Sequence, residues 1–287
     1  MSKKSLSDFY ALSNGVQIPS IGFGTWQVPD ETSTVTVIKH AVQFGYRHID
    51  TAAAYLNEKS VGKAIKECGV PRDQIFITSK LWNDDRNGGY EQTLKAFDLT
   101  LENLDTDYLD LYLIHWPATV TNFANWKDIN ASCWKAFEKL YSEKKIRAIG
   151  VSNFLSHHLE ALLETATVKP MVDQIEFHPG YMQTETLEFC KKNNILVEAW
   201  SPLGSGKVLG DQRLKTIAEK YGKSVAQLCV RWVLQHGILP LPKSVTENRV
   251  SENAGVFDFE IAAEDVKEID DLPFFGGSGF YPDKISF

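Results

Sequence analysis

Eight short apolar runs of β-type residues recur along the chain, separated by longer stretches whose apolar residues step by three and four positions. The runs are Ile21–Thr25, His48–Ala52, Ile75–Lys80, Tyr108–Trp116, Ile146–Asn153, Val172–Phe177, Leu196–Pro202 and Leu239–Ser244. Between them, sets such as Val35, Ile38, Ala41 and Val42, or Leu94, Phe97, Leu101 and Leu104, form one apolar stripe on a helix. Strands apolar on both faces and joined by helices belong to a covered parallel sheet, and eight strands let such a sheet close on itself. The pattern predicts the α/β class and a (β/α)8 barrel of the TIM type, with an open doubly wound sheet as the rival. No linker rich in Pro, Gly or Ser divides the 287 residues, so residues 1–287 read as one domain.

Two segments stand outside the alternation. Near the start, Asn14-Gly15 lies between Tyr10-Ala-Leu and Val16-Gln-Ile, which predicts an N-terminal β-hairpin. At the other end, Pro273–Phe287 is rich in glycine and aromatic residues. Such a tail either packs back on the body or covers a site, and it reads as a C-terminal substrate loop in which Phe280 and Tyr281 close over a cleft.

A formal net charge of -7 gives no basic face for nucleic acid or an anionic membrane, so any basic site is local. No apolar stretch approaches the ~18 residues of a membrane span, and Met1 to Tyr10 lacks the apolar block of a signal peptide. A cytoplasmic protein is expected, without nucleic-acid or membrane partners and as a monomer. Cys68, Cys133, Cys190 and Cys229 lie far apart without metal or redox spacing, so reduced structural thiols and no metal are expected.

Chemistry in a barrel of this kind sits at the carboxyl ends of the strands. Those ends carry Asp50, Lys80, His115, Ser152-Asn153, Gln174, Trp200-Ser201 and Lys243-Ser244, with Tyr55 in the loop after the second run. Singly, Asp50 could cap a helix, Lys80 could be a solvated strand end, His115 a core histidine and Tyr55 a packing residue. Together at one mouth they form a proton-transfer set. A phenol is a poor acid near neutrality unless a cation favours its ionised form; Lys80 can supply that cation, Asp50 can hold it, and His115 can orient a substrate oxygen. The set suits carbonyl reduction or alcohol oxidation.

Gly204, Gly206 and Gly210 lie in a Gly/Ser loop, but the third glycine falls one residue late for a dinucleotide fingerprint. The loop could nevertheless wrap a pyrophosphate with backbone N–H groups. Beside it, Lys243, Ser244 and Arg249 read as a phosphate pocket, against the alternative of solvated charges flanking a helix start.

These residues resemble the aldo-keto reductase family, in particular its compact microbial type. Gly45-Tyr-Arg-His-Ile-Asp50-Thr-Ala-Ala-Ala-Tyr55-Leu-Asn-Glu58-Lys-Ser-Val-Gly62 is similar to one family signature, and Leu241-Pro-Lys243-Ser244 with Arg249, Glu252 and Asn253 to another. Ile77-Thr-Ser-Lys80, Leu111-Tyr-Leu-Ile-His115-Trp-Pro, Gly150-Val-Ser-Asn153-Phe and Trp200-Ser-Pro-Leu-Gly follow in the family's order, so the resemblance runs from Ile18 to Phe259. It implies NADPH/NADP+ as cofactor, with Tyr55 as proton donor, Lys80 and Asp50 tuning it, and His115 orienting the carbonyl. It further implies Ser152, Asn153 and Gln174 on the carboxamide and Trp200 stacked on the nicotinamide. Ser201, Leu203 and Ser205 would line the pyrophosphate, with Gly24, Thr25 and Val245 among the cofactor contacts. Lys243, Ser244 and Arg249 would grip the 2′-phosphate, and Glu252 and Asn253 would face the adenosine.

Trp26, Trp82 and Trp116, just past strand ends, would line a substrate cleft with Tyr55 and His115, although core packing would also explain the tryptophans. The segment from Pro117 to Trp126 is short and offers no arginine for a substrate carboxylate. This is similar to microbial members that take small aldehydes, dicarbonyls such as methylglyoxal, or keto sugars. Two other readings stay open: a lyase using Lys80 as a Schiff base, and a non-catalytic NADPH-binding or structural member of the same fold.

Overall fold

The computed structural model describes residues 5–274 and 276–287; Met1 to Lys4 and Phe275 lie outside the described residues. The hairpin forms where Asn14-Gly15 predicts it: β1 (Phe9–Ala11) pairs antiparallel with β2 (Gln17–Pro19), and Gly15 turns the chain at φ +86°. The Tyr10 hydroxyl donates to Ile238 O at 3.3 Å and Asn14 Nδ2 donates to Arg147 O at 2.9 Å. Both acceptors stand at the amino ends of barrel strands. The hairpin therefore lies across the end of the barrel opposite the expected site.

Each of the eight apolar runs contributes one strand to a single parallel sheet. They are β3 (Phe23–Gly24), β4 (His48–Asp50), β5 (Phe76–Leu81), β6 (Leu109–Ile114), β7 (Ile146–Ser152), β8 (Val172–Glu176), β9 (Leu196–Trp200) and β10 (Leu239–Leu241), hydrogen-bonded in chain order. Gly22 N and Gly24 N donate to Pro240 O and Pro242 O at 3.0 and 3.1 Å, which joins the first barrel strand to the last. The open doubly wound alternative is thereby excluded. Several runs outlast their strands, because the chain leaves the ladder at the carboxyl ends to make site loops: His115 and Trp116 lie just beyond β6.

The covering helices follow the predicted stripes. The helix Glu31–Gln43 is capped by Asp30, which accepts from Ser33 N at 2.8 Å, and buries Val37, Ile38, Ala41 and Val42. The helix Gly89–Leu104 buries Phe97 and Leu104, with Leu94 and Leu101 packed against the same core. Among the described residues, no helix is long and apolar enough to cross a membrane.

The barrel interior is polar toward its carboxyl end. Gln174 on β8 reaches Asp50 on β4 at 2.8 Å, a contact between strands that are not neighbours and therefore one made across the interior. Closure leaves little room at Gly22, where an added Cβ would stand 2.4 Å from Leu241 Cδ2 and 2.6 Å from His48 Nδ1. Gly22→Ala should destabilise the fold by about 1–3 kcal/mol, the usual cost of overpacking. Urea denaturation checks this: an unchanged midpoint would show that the seam has slack.

Candidate active site

Asp50 ends β4, Lys80 lies near the end of the adjacent β5, and the chain between them in space is a short turn, Ala53–Tyr55, that places Tyr55 above Lys80. Lys80 Nζ donates to Asp50 Oδ1 and Oδ2 at 2.7 and 2.9 Å, to Thr51 O at 2.8 Å and to Tyr55 Oη at 3.3 Å. It also lies 4.9 Å from the centre of the Tyr55 ring. The turn ends at Leu56 with φ +57° and a side chain 93% exposed. A left-handed leucine costs about 1–2 kcal/mol, the local strain of bringing the phenol over the ammonium.

Burial alone would drive the proton off Lys80, but the Asp50 carboxylate and Tyr55 outweigh it and hold the ammonium above lysine's ordinary range. A Schiff-base nucleophile needs the reverse shift, so the lyase reading loses its support. Tyr55 departs from the simple expectation. Lys80 does pull its acidity toward neutrality, yet burial is the larger effect and Asp50 adds to it, so the phenol stays above its ordinary value. At neutral pH the proton is on Tyr55, which is what a donor needs.

His115 packs edge-on against Tyr55 and Trp82, with ring centres 5.7 and 5.2 Å away. Burial and the Lys80 charge hold its imidazole well below histidine's usual range, so it is neutral. Asn153, at φ +63°, donates from Nδ2 to His115 O at 3.0 Å and accepts the Trp200 indole N–H at 2.8 Å. This locks the Trp200 ring through a group that tryptophan has and phenylalanine lacks. Gln174 Nε2 donates to Asp50 and to Glu198, each at 2.8 Å, which leaves its carbonyl oxygen for a ligand.

A continuous cleft of about 810 Å³ runs over these groups. Its walls bring together Gly24, Asp50, Tyr55, His115, Ser152, Asn153, Gln174 and Trp200 at the floor, and Trp26, Trp82 and Trp116 at one side. Ser201, Leu203, Ser205, Lys243, Ser244, Val245, Arg249, Glu252 and Asn253 extend it away from the tetrad of Asp50, Tyr55, Lys80 and His115. Two expected contacts stand behind the wall. Thr25 is buried with its hydroxyl on Asp50 O at 2.9 Å, and Lys80 reaches the cleft only through Tyr55.

The Gly/Ser loop differs from expectation. Gly204 N, Gly206 N and Ser205 N are taken by Ser201 O, Leu203 O and Ser201 Oγ, so these amides do not wrap a pyrophosphate. Positive φ at Ser201, Gly204, Ser205 and Gly206 curls the loop on itself, and side-chain hydroxyls are what it presents. Lys243 and Arg249 form no ion pair among the described residues, and burial without a nearby carboxylate lowers the Lys243 ammonium below its ordinary value. Two cations without partners at one end of a cleft fit an anionic group such as a nucleotide phosphate.

The tail covers the site with a different residue from the one expected. Tyr281 turns away to a shallow groove beside Tyr181 and Phe274, and Phe287 takes its place in the cleft wall. Phe287 stacks on Trp82 at 5.7 Å and meets Trp116 and Phe280 edge-on at 5.8 and 5.3 Å. Ser278 fastens the tail by donating from N and Oγ to the two Glu176 oxygens, both at 2.7 Å, and Lys207 Nζ donates to Gly277 O at 2.6 Å. The aromatic richness of the tail was its sequence signal; which ring faced inward had none.

Ligand atoms of His157, His158 and Asp283 lie within 4.8 Å of one another. Leu155 N donates to His158 Nδ1 at 3.1 Å, so Nε2 carries the proton; it lies 2.9 Å from Asp283 Oδ1 without hydrogen-bond geometry, and His157 Nε2 makes the bond to that oxygen at 3.2 Å. A metal ion at His158 Nε2 would need the other tautomer, and the cluster instead ties the tail to the body.

The model of the aldo/keto reductase family matches residues 20–273. Glyoxal reductase of Bacillus subtilis (strain 168) is 51% identical over 283 residues, covering 99% of each chain. Methylglyoxal reductase DkgA of Escherichia coli (strain K12) is 42% identical over 260 residues, covering 90% of each. The crystal structure of a Gox0644 mutant in complex with NADPH superposes with a TM-score of 0.89 at 40% identity, covering 98% of this chain and 99% of that one.

Because His115 is held neutral, kcat for any reaction in the cleft should show no transition from this residue at the ordinary histidine value of ~6.5. A fall centred near the ordinary histidine value of ~6.5 that disappears in His115→Asn would contradict this.

Proposed function

The chain belongs to the aldo/keto reductase family, and on that premise we propose that it reduces small dicarbonyls and aldehydes, glyoxal and methylglyoxal foremost, with Tyr55 as the proton donor. As an aldo-keto reductase it is an oxidoreductase that works with NADPH. The observation that carries the reading is the buried Lys80 ammonium, bonded to Asp50, Thr51 O and Tyr55 at the floor of an aromatic-walled cleft.

When bound, NADPH supplies a hydride from its nicotinamide ring. The residues that would hold it are Ser152, Asn153 and Gln174 near the tetrad, with Trp200 as a flat face, Ser201, Leu203 and Ser205 along the cleft, and Lys243, Ser244 and Arg249 at the phosphate end. Gly24 and Val245 complete the walls, and Glu252 and Asn253 stand beside the basic group. The neutral His115 imidazole donates a hydrogen bond to the carbonyl oxygen and fixes it beside Tyr55. As negative charge develops on that oxygen, Tyr55 delivers its proton, and the phenolate left behind faces Lys80. Asp50 keeps the ammonium charged and oriented throughout.

The aromatic box of Trp26, Trp82, Trp116, Phe280 and Phe287 is apolar and offers no cation, which suits small uncharged carbonyl compounds over anionic ones. Glyoxal, methylglyoxal, a keto sugar and a bulky aldehyde, each followed by NADPH and NADH consumption, test the reading. The expected order puts the small dicarbonyls first with NADPH preferred, and Tyr55→Phe should bind NADPH normally while losing about 10²–10⁴ in kcat, the usual share of a general acid. Near-normal turnover by Tyr55→Phe would remove the phenol from its role, and a preference for the bulky aldehyde would remove the substrate class.

A further inference from the structure

Behind the tetrad, Glu198 on β9 is fully buried in the barrel interior. Its Oε2 accepts from Gln174 Nε2 at 2.8 Å, and the same nitrogen donates to Asp50 Oδ2 at 2.8 Å. One neutral amide thus bridges two carboxyl groups. Glu198 Oε1 has no hydrogen-bond partner among the described residues. The titratable groups facing it are His48 and Asp50 from β4 and Lys80 from β5, while β8 contributes the neutral Gln174 and β10 pairs Leu239 beside it.

None of these bonds a cation to Glu198, and the through-space pull of Lys80 is outweighed by burial and Asp50. His48 Nε2 lies 4.0 Å from Oε1 but is bonded to Thr78 Oγ1 at 2.9 Å, and burial pushes its imidazole down to about 3, so it is neutral. Lys80 has its donors on Asp50, Thr51 O and Tyr55. An ionised Glu198 would be a second buried anion against one ammonium, with an oxygen that no donor reaches.

We propose that Glu198 is a positioning residue for the reductase: its carboxyl stays in the neutral acid form, so that Gln174 holds a single carboxylate, Asp50, on the Lys80 ammonium. The consequence falls on Tyr55 and rests on its reading as proton donor. With Glu198 neutral, the phenolate left after proton delivery meets one cation and one anion. With Glu198 ionised it meets one cation and two anions, and proton delivery slows. Burial, then Asp50, raise the Glu198 carboxyl to about 8, which puts that change within reach of an ordinary pH profile.

Two measurements on the protein test this. Infrared difference spectra between about pH 7 and about pH 9 should show the C=O band of a protonated carboxyl lost from the native protein and not from Glu198→Gln. With methylglyoxal and NADPH, and each protein normalised to its own value near pH 7, native kcat should fall about tenfold by pH 9 while Glu198→Gln stays within about twofold, with the methylglyoxal KM unmoved. A residue that only filled space would change KM or stability without moving the alkaline limb. Absence of the band in the native protein overturns the inference, as do superimposable pH profiles. If Tyr55 proves dispensable, that reading fails separately, because the infrared band reports on Glu198 without turnover.

Discussion

A charged lysine held inside a barrel is the constraint on which the site depends. Lys80 has no access to water and keeps its proton because Asp50 answers its charge and Thr51 O and Tyr55 take its remaining hydrogen bonds. The local chain path follows from this. β4 ends at Asp50 where its carboxylate meets β5, the next carbonyl turns inward to Lys80, and the following turn accepts a left-handed Leu56 to set the phenol above the ammonium. Trp82 and Trp116 then follow directly from the ends of β5 and β6, on either side of His115.

The molecule separates stability from chemistry along the barrel axis. At the amino ends, the hairpin packs Ile18 into the core and bonds to the starts of two strands. At the carboxyl ends, the loops carry polar groups, and the tail is held over them by its bonds to Glu176 and Lys207, by Asp283 beside His157, and by Phe280 and Phe287 packed on Trp82 and Trp116. The charge pattern has the same division. An acidic protein keeps two cations, Lys243 and Arg249, where an anionic ligand group would lie, and keeps cations out of the aromatic box where a neutral carbonyl would lie.

Much of this was legible in the sequence because it depends on local periodicity. Eight runs and their intervening stripes specify the barrel, and a barrel specifies that Asp50, Lys80, His115, Asn153 and Trp200 share one mouth. What escaped depends on who faces whom across a closed interior. Gln174 meets Asp50 from 124 positions away and Glu198 from 24, pairings that follow from strand tilt and closure and leave no trace in spacing. Gly22 matters for the same reason, since its neighbours His48 and Leu241 come from opposite sides of the seam. The tail escaped for another: its turns set which ring points inward, and so Phe287 rather than Tyr281 walls the cleft. The balance at Tyr55 is set by the fold, because a sequence shows the cation beside a phenol but not the depth of its burial.

In the proposed reaction, the Lys80 charge is what makes the Tyr55 phenol able to give up its proton. The most direct measurement is the single-turnover rate of NADPH oxidation by methylglyoxal in Lys80→Met, with folding checked by circular dichroism and NADPH binding by fluorescence. Removal of one preorganised charge that meets developing negative charge should slow the step by about 10²–10³ while NADPH still binds. A folded, NADPH-binding variant that turns over within about threefold of the native rate would contradict it.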